Sequence, residues 1–230
     1  MRILANLVVR NEAPNYLHQI LTRLKDQVDE IVVTDDCSDD DTPNIAESFG
    51  AHVQQMSEPT FSTHEGRLRQ ASWKHLENFA DKNTWVLAID ADEELYITLH
   101  SLTALTMNPK YSVYDVEFYH MWNETQYRVD KAWAPHGSTR FFRYQPGGHF
   151  KDRALACGSE PTYVQDYINH GLYYKHSGLK MKHLSYIKDE DKQKKFDRYS
   201  AIDGGKFHAN AHIQSIMDPP EMVILNDWKW

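Results

Sequence analysis

The pattern of hydrophobic and polar positions divides the first 95 residues into alternating short elements. Four short runs predict strands, at residues 2–9, 31–33, 52–55 and 85–89. Three segments between them carry apolar residues at helical spacing and predict helices, at residues 14–24, 43–50 and 65–79. Because strands that alternate with helices are typical of βαβ units, the pattern predicts an α/β fold with a mostly parallel sheet flanked by helices.

The pattern changes beyond residue 95. Tyr114, Val116 and Phe118 alternate with less apolar positions, and residues 140–144 alternate in the same way, which predicts a smaller region of mixed strands. Residues 188–203 are charged with apolar positions on one side, which is typical of a surface helix. No repeat or linker divides the chain, so we expect residues 1–230 to form a single domain.

Composition narrows the class of protein. The chain has 230 residues, 41% of them hydrophobic, and a net charge of −8 from 25 basic and 33 acidic residues. This balance argues against disorder and against a protein that binds nucleic acid by neutralising phosphates. Two cysteines, Cys37 and Cys157, are too few for a secreted disulfide scaffold. With no signal-like leader and no transmembrane segment, the sequence predicts a cytoplasmic protein.

Two acidic clusters follow predicted strands. Asp35 and Asp36 come after the second strand, and Asp90 and Asp92 come after the fourth. Because ligands bind at the carboxyl ends of parallel strands, we expect both clusters at one edge of the sheet. Oxygen ligands suit Mg²⁺ or Mn²⁺, which then complete their coordination with substrate phosphates. The alternative is that residues 92–94 cap a following helix and that residues 39–41 form a solvated turn.

Three segments together resemble family-two glycosyltransferases. They are LVVRNE at residues 7–12, VDEIVVTDDCSDDDT at residues 28–42 and WVLAIDADE at residues 85–93. The usual family patterns are VKNE, VDEIVVVDDGSTDGT and a tryptophan followed by apolar residues and LDADE. Cys37 and Asp39 depart from the usual GST. The resemblance is close over residues 2–95 and looser beyond.

The resemblance implies a Rossmann-type domain of the GT-A class, with a nucleotide-sugar-binding half at residues 1–95 and an acceptor half at residues 96–230. In that family the residue at Asp36 contacts the nucleoside base, and Asp90 and Asp92 match the motif that holds the ribose and the metal. The implied nucleotide-sugar-binding residues are Val8, Arg10, Glu12, Asp36, Arg69 and Asp90, with Arg67 as the alternative to Arg69.

Weaker matches extend the implied site into the second half. HLSY at residues 183–186, followed by KFDRY at residues 195–199, is similar to a family segment whose histidine completes the metal site, so the implied metal ligands are Asp92 and His183. His176 is the alternative histidine. Inverting transfer also needs a base, for which GSEP at residues 158–161 suggests Glu160. Asp152 is the other candidate, and an ion pair of Glu160 with Arg140 or Arg143 is the structural alternative.

The resulting expectation is a metal-dependent, inverting glycosyltransferase that uses a nucleotide-diphosphate sugar, with a UDP-hexose as the default donor. A nucleotidyltransferase on the same fold ranks lower, because the segment after the first strand has no glycine. A nucleotide-sugar-binding protein without transfer activity is the third candidate. The acceptor stays open among glycans, lipid-linked sugars, proteins and modified nucleic acids. We expect the aromatic residues to lie mainly in the core, with Trp133 exposed; these are Trp122, Tyr127, Trp133, Phe142 and Tyr144.

Overall fold

The computed structural model describes residues 1–155, 157–175, 177–202 and 210–226. The strands are β1 (Arg2–Val9), β2 (Glu30–Asp35), β3 (His52–Gln55), β4 (Thr84–Ala88), β5 (Glu93–Tyr96), β6 (Val113–His120), β7 (Gln126–Arg128), β8 (His136–Arg143), β9 (Tyr173–Tyr174), β10 (Lys180–His183) and β11 (Met222–Ile224). The helices are α1 (Leu17–Leu24), α2 (Thr42–Ser48), α3 (Glu65–Leu76), α4 (Leu99–Thr106), α5 (Tyr163–Asn169), α6 (Asp189–Ile202) and α7 (Asn210–Ser215).

One nine-stranded, mostly parallel sheet joins both halves of the chain. Its order is β3-β2-β1-β4-β8-β6-β10-β5, with β9 paired to the beginning of β6. The chain moves outward from β1 through β2 to β3 and then returns to pair β4 with the other side of β1, in parallel. The order therefore reverses between β1 and β4. In open α/β sheets, this is the position at which a ligand crevice forms, outside the carboxyl ends of the strands.

Buried apolar faces attach the helices to this sheet. Four residues of α1 at helical spacing are buried: Leu17, Ile20, Leu21 and Leu24. They join a core on one side of the sheet that includes Trp85 and Phe141. A second cluster on α3, β4 and α5 surrounds Trp73 and Val86. All five residues of β4 are buried, as expected for a strand covered on both faces.

The first helix and the segment after Asp92 differ from the sequence-based expectation. Helix α1 begins at Leu17 rather than near Pro14, because the preceding loop is held by hydrogen bonds to the acidic loop after β2. Residues 93–96 form β5, antiparallel to β10, so they do not begin a helix that Asp92 could cap. None of the helices in the described part of the chain is long and apolar enough to cross a membrane.

The expectation that Trp133 is exposed is wrong. Its side chain is 1% exposed and packs against Trp122, Tyr186 and His212, while its indole N–H donates a hydrogen bond to Ser215 Oγ at 2.9 Å. Tyr186, His212 and Ser215 lie far from Trp133 in the sequence, just before α6 and in α7. The polar neighbours of Trp133 in the chain therefore gave no indication of its burial.

Candidate active site

A cleft of about 520 Å³ lies at the carboxyl ends of β1 and β4, where the strand order reverses. Most of the residues implicated by the sequence line it: Val8, Arg10, Glu12, Asp36, Arg69, Asp90, Asp92 and His183. Further lining residues were not assigned to the site individually from the sequence: Phe61, Glu65, Glu93, Arg140, Lys195, Arg198 and Tyr199. The cleft therefore brings together residues of both acidic clusters and five basic side chains.

The loops after β1 and β2 are fastened to each other beside this cleft. Asn11 N–H donates to Ser38 Oγ at 2.9 Å, and Asn11 Oδ1 accepts from Asp39 N–H at 3.0 Å. Glu12 N–H donates to Thr42 Oγ1 at 2.7 Å. The hydroxyl and amide groups of the acidic loop thus fix the backbone that carries Arg10 and Glu12.

Cys37 occupies a backbone position that favours glycine. Its φ is +60°, in the left-handed region, where a Cβ atom crowds the following carbonyl oxygen. The turn that it forms lets Asp35 accept hydrogen bonds from both the backbone and the hydroxyl of Ser38. This geometry explains why a glycine is usual here in the resembling sequences and why Cys37 is a departure from that pattern.

Asp36 is fully buried at the floor of the cleft. Its two carboxylate oxygens accept hydrogen bonds from Thr60 N–H at 2.7 Å and Phe61 N–H at 2.9 Å. The carboxylate therefore holds the loop between β3 and α3 against the end of β2. Phe61, in turn, lies under the Arg198 guanidinium, which is 4.1 Å from the ring centroid.

Arg69 holds Asp90 by a two-pronged ion pair. Arg69 Nη1 donates to Asp90 Oδ1 at 2.8 Å, and Arg69 Nη2 donates to Asp90 Oδ2 at 3.3 Å. Glu65 Oε1 lies 3.5 Å from Arg69 Nε. Burial would raise the pKa of Asp90, but the charges of Arg69 and Arg140 outweigh it and lower that pKa. Asp90 is therefore an anion with a fixed orientation at the cleft wall.

Glu93 lines the cleft and is hydrogen-bonded to Arg140. Its Oε1 accepts from Arg140 Nη2 at 2.6 Å and its Oε2 accepts from Asp90 N–H at 2.9 Å. Burial raises the pKa of Glu93 to about 8, against the opposing charge of Arg140. Glu93 also offers a carboxylate oxygen within 4.8 Å of ligand atoms of Asp92 and His183, which makes it a third candidate ligand for a cation.

Asp92 and His183 have the geometry of two neighbouring metal ligands. His183 Nε2 lies 3.3 Å from Asp92 Oδ2, close to the roughly 3 Å that separates adjacent ligands around an octahedral Mg²⁺. Burial would raise the pKa of Asp92, but His183 and Lys195 lower it well below its usual range. Burial lowers the pKa of His183, opposed by the charge of Asp92. One oxygen and one imidazole nitrogen suit Mn²⁺ or Mg²⁺.

Two further charged groups face Asp92. Lys195 Nζ lies 3.6 Å from Asp92 Oδ2, so an ammonium group already balances this carboxylate. Burial and the charge of Asp92 raise the pKa of Glu12 to about 7. The negative charge of Asp92 therefore disfavours ionisation of Glu12 in the folded protein.

Arg67 and Asp152 lie outside the cleft lining. Arg67 is exposed on α3, whereas Arg69 two residues later points to Asp90. The Asp152 side chain is 84% exposed and pairs with His64 at 3.0 Å. These positions favour Arg69 over Arg67 and leave Asp152 outside the cleft lining.

Glu160 does not itself line the cleft, but its carboxylate lies beside Gly158, which does. Both of its carboxylate oxygens lie 3.2 Å from where a Cβ on Gly158 would stand, and Gly158 lines the cleft. Burial raises the pKa of Glu160, opposed by the charge of Arg140. Arg140 itself hydrogen-bonds Glu93, and Arg143 lies over the Trp85 ring at 5.2 Å. His176, the alternative metal ligand, lies outside the described residues.

Sequence reasoning did not assign Lys195, Arg198 and Tyr199 to the site, although they fall within the KFDRY segment that it singled out. Their spacing of three and one residues places them on one face of α6, and all three line the cleft. Arg140 was noticed only as an ion-pair partner. Its role could not be assigned because β8 reaches β4 only through long-range pairing.

The fold and the cleft define an α/β domain with a candidate ligand-binding cleft and a candidate cation site. The family model for glycosyl transferase family 2 matches residues 7–167, which is most of the chain. The chain belongs to this family.

Individual related proteins match a shorter part of the chain than the family model does. An uncharacterized glycosyltransferase of Rickettsia felis is 38% identical over 97 residues, which are 41% of this chain and 30% of that protein. One of Rickettsia bellii is 36% identical over 94 residues, 41% of this chain and 29% of that protein. The matched region is thus less than a third of either relative's length.

Solved structures share the fold at low sequence identity. S. aureus TarS 1–349 in complex with UDP has a TM-score of 0.58 and 18% identity, over 94% of this chain and 69% of that one. Mannosyltransferase PcManGT from Pyrobaculum calidifontis, in complex with GDP-Man and Mn²⁺, has a TM-score of 0.56 and 15% identity, over 92% and 69%. Both confirm the α/β architecture with a mostly parallel sheet.

Proposed function

We propose that the chain is a metal-dependent, inverting glycosyltransferase that takes a nucleotide-diphosphate sugar, with a UDP-hexose as the donor. The observation that carries this proposal is the convergence of Asp36, Asp90, Asp92 and His183 in one cleft at the reversal of strand order. The UDP and GDP-Man complexes of structural neighbours support a nucleotide-sugar ligand. The two free thiols, Cys37 and Cys157, support a reducing, cytoplasmic location.

Each wall of the cleft suits a different part of such a donor. The loop that carries Val8 and Arg10, together with Asp36, suits the nucleoside, and the fixed carboxylate of Asp90 can accept a hydrogen bond from a ribose hydroxyl. Lys195 and Arg198 present positive charge on the side where a diphosphate would lie. A phosphate oxygen is a better partner for Lys195 than a carboxylate that a cation has already neutralised.

Asp92 and His183 would hold the cation. A bound Mn²⁺ or Mg²⁺ would supply electrostatic stabilisation to the negative charge that grows on the leaving diphosphate. Lys195 and Arg198 add fixed positive charge to the same region. Among the described residues, Glu93 is a third candidate ligand, and substrate phosphates are expected to complete the coordination.

Transfer requires a base at the acceptor. In the proposed step, the acceptor hydroxyl oxygen forms a bond to the anomeric carbon while the bond from that carbon to the diphosphate oxygen breaks. The electron pair leaves with the diphosphate, and the acceptor proton passes to Glu160. The raised pKa of Glu160 favours proton uptake as the acceptor oxygen attacks.

A turnover assay tests the function directly. The protein is incubated with UDP-glucose, UDP-GlcNAc or GDP-mannose and Mn²⁺, and release of the nucleoside diphosphate is measured by chromatography. Without added acceptor, we expect slow hydrolysis of the UDP-sugar, which releases UDP. Asp92→Ala should abolish this release. Binding of donor without any turnover would instead indicate a nucleotide-sugar-binding protein. Pyrophosphate release from a nucleoside triphosphate would indicate a nucleotidyltransferase.

The choice of base is tested by two matched amide variants. Glu160→Gln keeps the shape of the side chain and removes its basicity, so kcat for transfer should fall by about 100-fold or more while donor affinity is kept. Asp152→Asn is the control, because Asp152 is exposed and pairs with His64. If Asp152→Asn abolishes transfer and Glu160→Gln does not, the base is Asp152.

A further inference from the structure

His183 has a second histidine as its neighbour in the sheet. His120 ends β6 and His183 ends β10, and the two residues are register partners in a parallel pair. Their Nδ1 atoms lie 3.0 Å apart, a hydrogen-bond distance. The other nitrogen of His183, Nε2, faces Asp92 Oδ2 at 3.3 Å and Ser185 Oγ at 2.9 Å. The two sides of the His183 ring therefore meet different partners.

The contact between the two Nδ1 atoms limits which nitrogens of His120 and His183 can carry a proton. A neutral imidazole has one donor nitrogen and one acceptor nitrogen, whereas an imidazolium has two donors. Two nitrogens in hydrogen-bond contact must be one donor and one acceptor, so at least one of the two rings is neutral. Since Nδ1 of His183 is occupied by His120, only Nε2 is free to bind a cation next to Asp92.

We propose that His120 is a positioning residue that accepts a hydrogen bond from His183 Nδ1–H and thereby directs the Nε2 lone pair of His183 toward Asp92. This inference rests on the proposed cation site. Ligation through Nε2 requires the proton of His183 on Nδ1. His120 must then accept at its own Nδ1 and carry its proton on Nε2.

Aromatic packing holds the His120 ring in place for this task. The ring centroids of Trp133, Tyr186 and His136 lie 5.3, 5.9 and 5.4 Å from that of His120. Rotation of the imidazole away from His183 would break these contacts. The Trp133 ring that sequence reasoning placed at the surface is thus part of the support for the cation site.

A neutral acceptor suits the charge of this site. Histidine ligands commonly donate their second N–H to a carboxylate, which adds negative charge beside the metal. Here Asp90, Asp92 and Glu93 already crowd the cleft, and the proximity of the first two contributes to the raised pKa of Glu93. An imidazole acceptor orients His183 without a fourth carboxylate.

Three variants separate hydrogen bonding from packing. His120→Phe keeps a planar ring but removes the acceptor, so Mn²⁺ should bind about 10- to 100-fold more weakly in the presence of UDP. His120→Asn places an amide oxygen near the position of Nδ1 and should restore most of the affinity. His136→Phe, a change in an exposed ring that also neighbours His120, should leave Mn²⁺ binding unchanged. Free Mn²⁺ is measured by electron paramagnetic resonance, and folding by circular dichroism.

The outcomes distinguish this inference from the proposed function. If wild-type protein binds no Mn²⁺ with UDP, the cation site itself is wrong. If wild type binds Mn²⁺ and His183→Ala weakens binding but His120→Phe does not, only the role of His120 is wrong. The proton positions can also be measured in the wild-type protein. In ¹⁵N NMR with Mg²⁺ and UDP, His183 should be protonated at Nδ1 and His120 at Nε2. A proton on His183 Nε2 would overturn the inference.

Discussion

Replacing Arg69 by methionine removes the charge that fixes Asp90 while it keeps most of the aliphatic stem. The guanidinium makes two hydrogen bonds to Asp90, at 2.8 and 3.3 Å, and its side chain is only 10% exposed. A hydrogen bond to a charged group contributes roughly 1.5–3 kcal/mol, and loss of one partner of a buried pair costs roughly 3–5 kcal/mol. The Asp90 side chain is 27% exposed, and Arg140 Nη2 lies 3.7 Å from Asp90 Oδ2. We therefore expect Arg69→Met to lower the unfolding free energy by about 3 kcal/mol, the lower end of the range for a buried pair.

The effect of Arg69→Met should depend on pH in a defined direction. Arg69 lowers the pKa of Asp90 in the folded protein, so the ion pair stabilises the fold above the unfolded-state pKa of Asp90, about 3.9. That stabilisation is lost as the pH falls through the lower, folded-state pKa. The difference in unfolding free energy between wild type and Arg69→Met should therefore be complete at pH 7 and smaller at pH 3.

Urea denaturation followed by tryptophan fluorescence measures the loss of unfolding free energy at pH 7 and at pH 3. At pH 7 the melting temperature should also fall by about 6–12 °C, from roughly 2–4 °C per kcal/mol for a chain of this size. Arg67→Met is the matched control on the same helix, and its exposed side chain should change stability by less than about 0.5 kcal/mol. In a double-mutant cycle with Asp90→Asn, effects that add within about 0.5 kcal/mol would refute the ion-pair reasoning.

Two other changes have defined expected outcomes. Cys37→Gly should raise the unfolding free energy by roughly 0.5–1 kcal/mol, because relief of a φ of +60° exceeds the entropy that glycine loses on folding; Cys37→Ala, which gains no such relief, is the control, and a less stable glycine variant would contradict the reasoning. Glu12→Gln should stabilise the protein at pH 8 and have little effect at pH 4, because a folded-state pKa raised to about 7 costs stability that grows as the pH rises from the unfolded-state pKa of about 4.3; equal effects at both pH values in thermal unfolding would show that its pKa is not raised.

The order of elements in the first half could be predicted because local patterns determine it. The strands at residues 2–9 and 52–55 match β1 and β3, and the carboxyl-edge rule brought Asp36, Asp90 and Asp92 to one cleft. These inferences need only periodicity and the geometry of parallel sheets. The match to glycosyl transferase family 2 confirms the resemblance on which the site residues depended.

The features that could not be predicted from local sequence depend on contacts between residues far apart in the chain. Residues 93–96 are a strand because β10 pairs with them from about 90 residues away, which no local pattern encodes. The partners of Asp92 come from β10 and α6, and Trp133 is covered by Ser215 and its neighbours. The assignment of residues 1–230 to one domain with halves meeting near residue 95 stays a prediction, as do the roles of the individual site residues.

The energetic link between Mn²⁺ and UDP is the most direct test of the cation site at Asp92. Isothermal titration of UDP into the protein, with Mn²⁺ or with EDTA, gives two dissociation constants whose ratio measures this link. Since diphosphate oxygens are expected to complete the coordination, Mn²⁺ should tighten UDP binding by about tenfold or more, and Asp92→Ala should bring the ratio close to one. UDP binding that is equally tight in EDTA, or a ratio that Asp92→Ala leaves unchanged, would contradict the account.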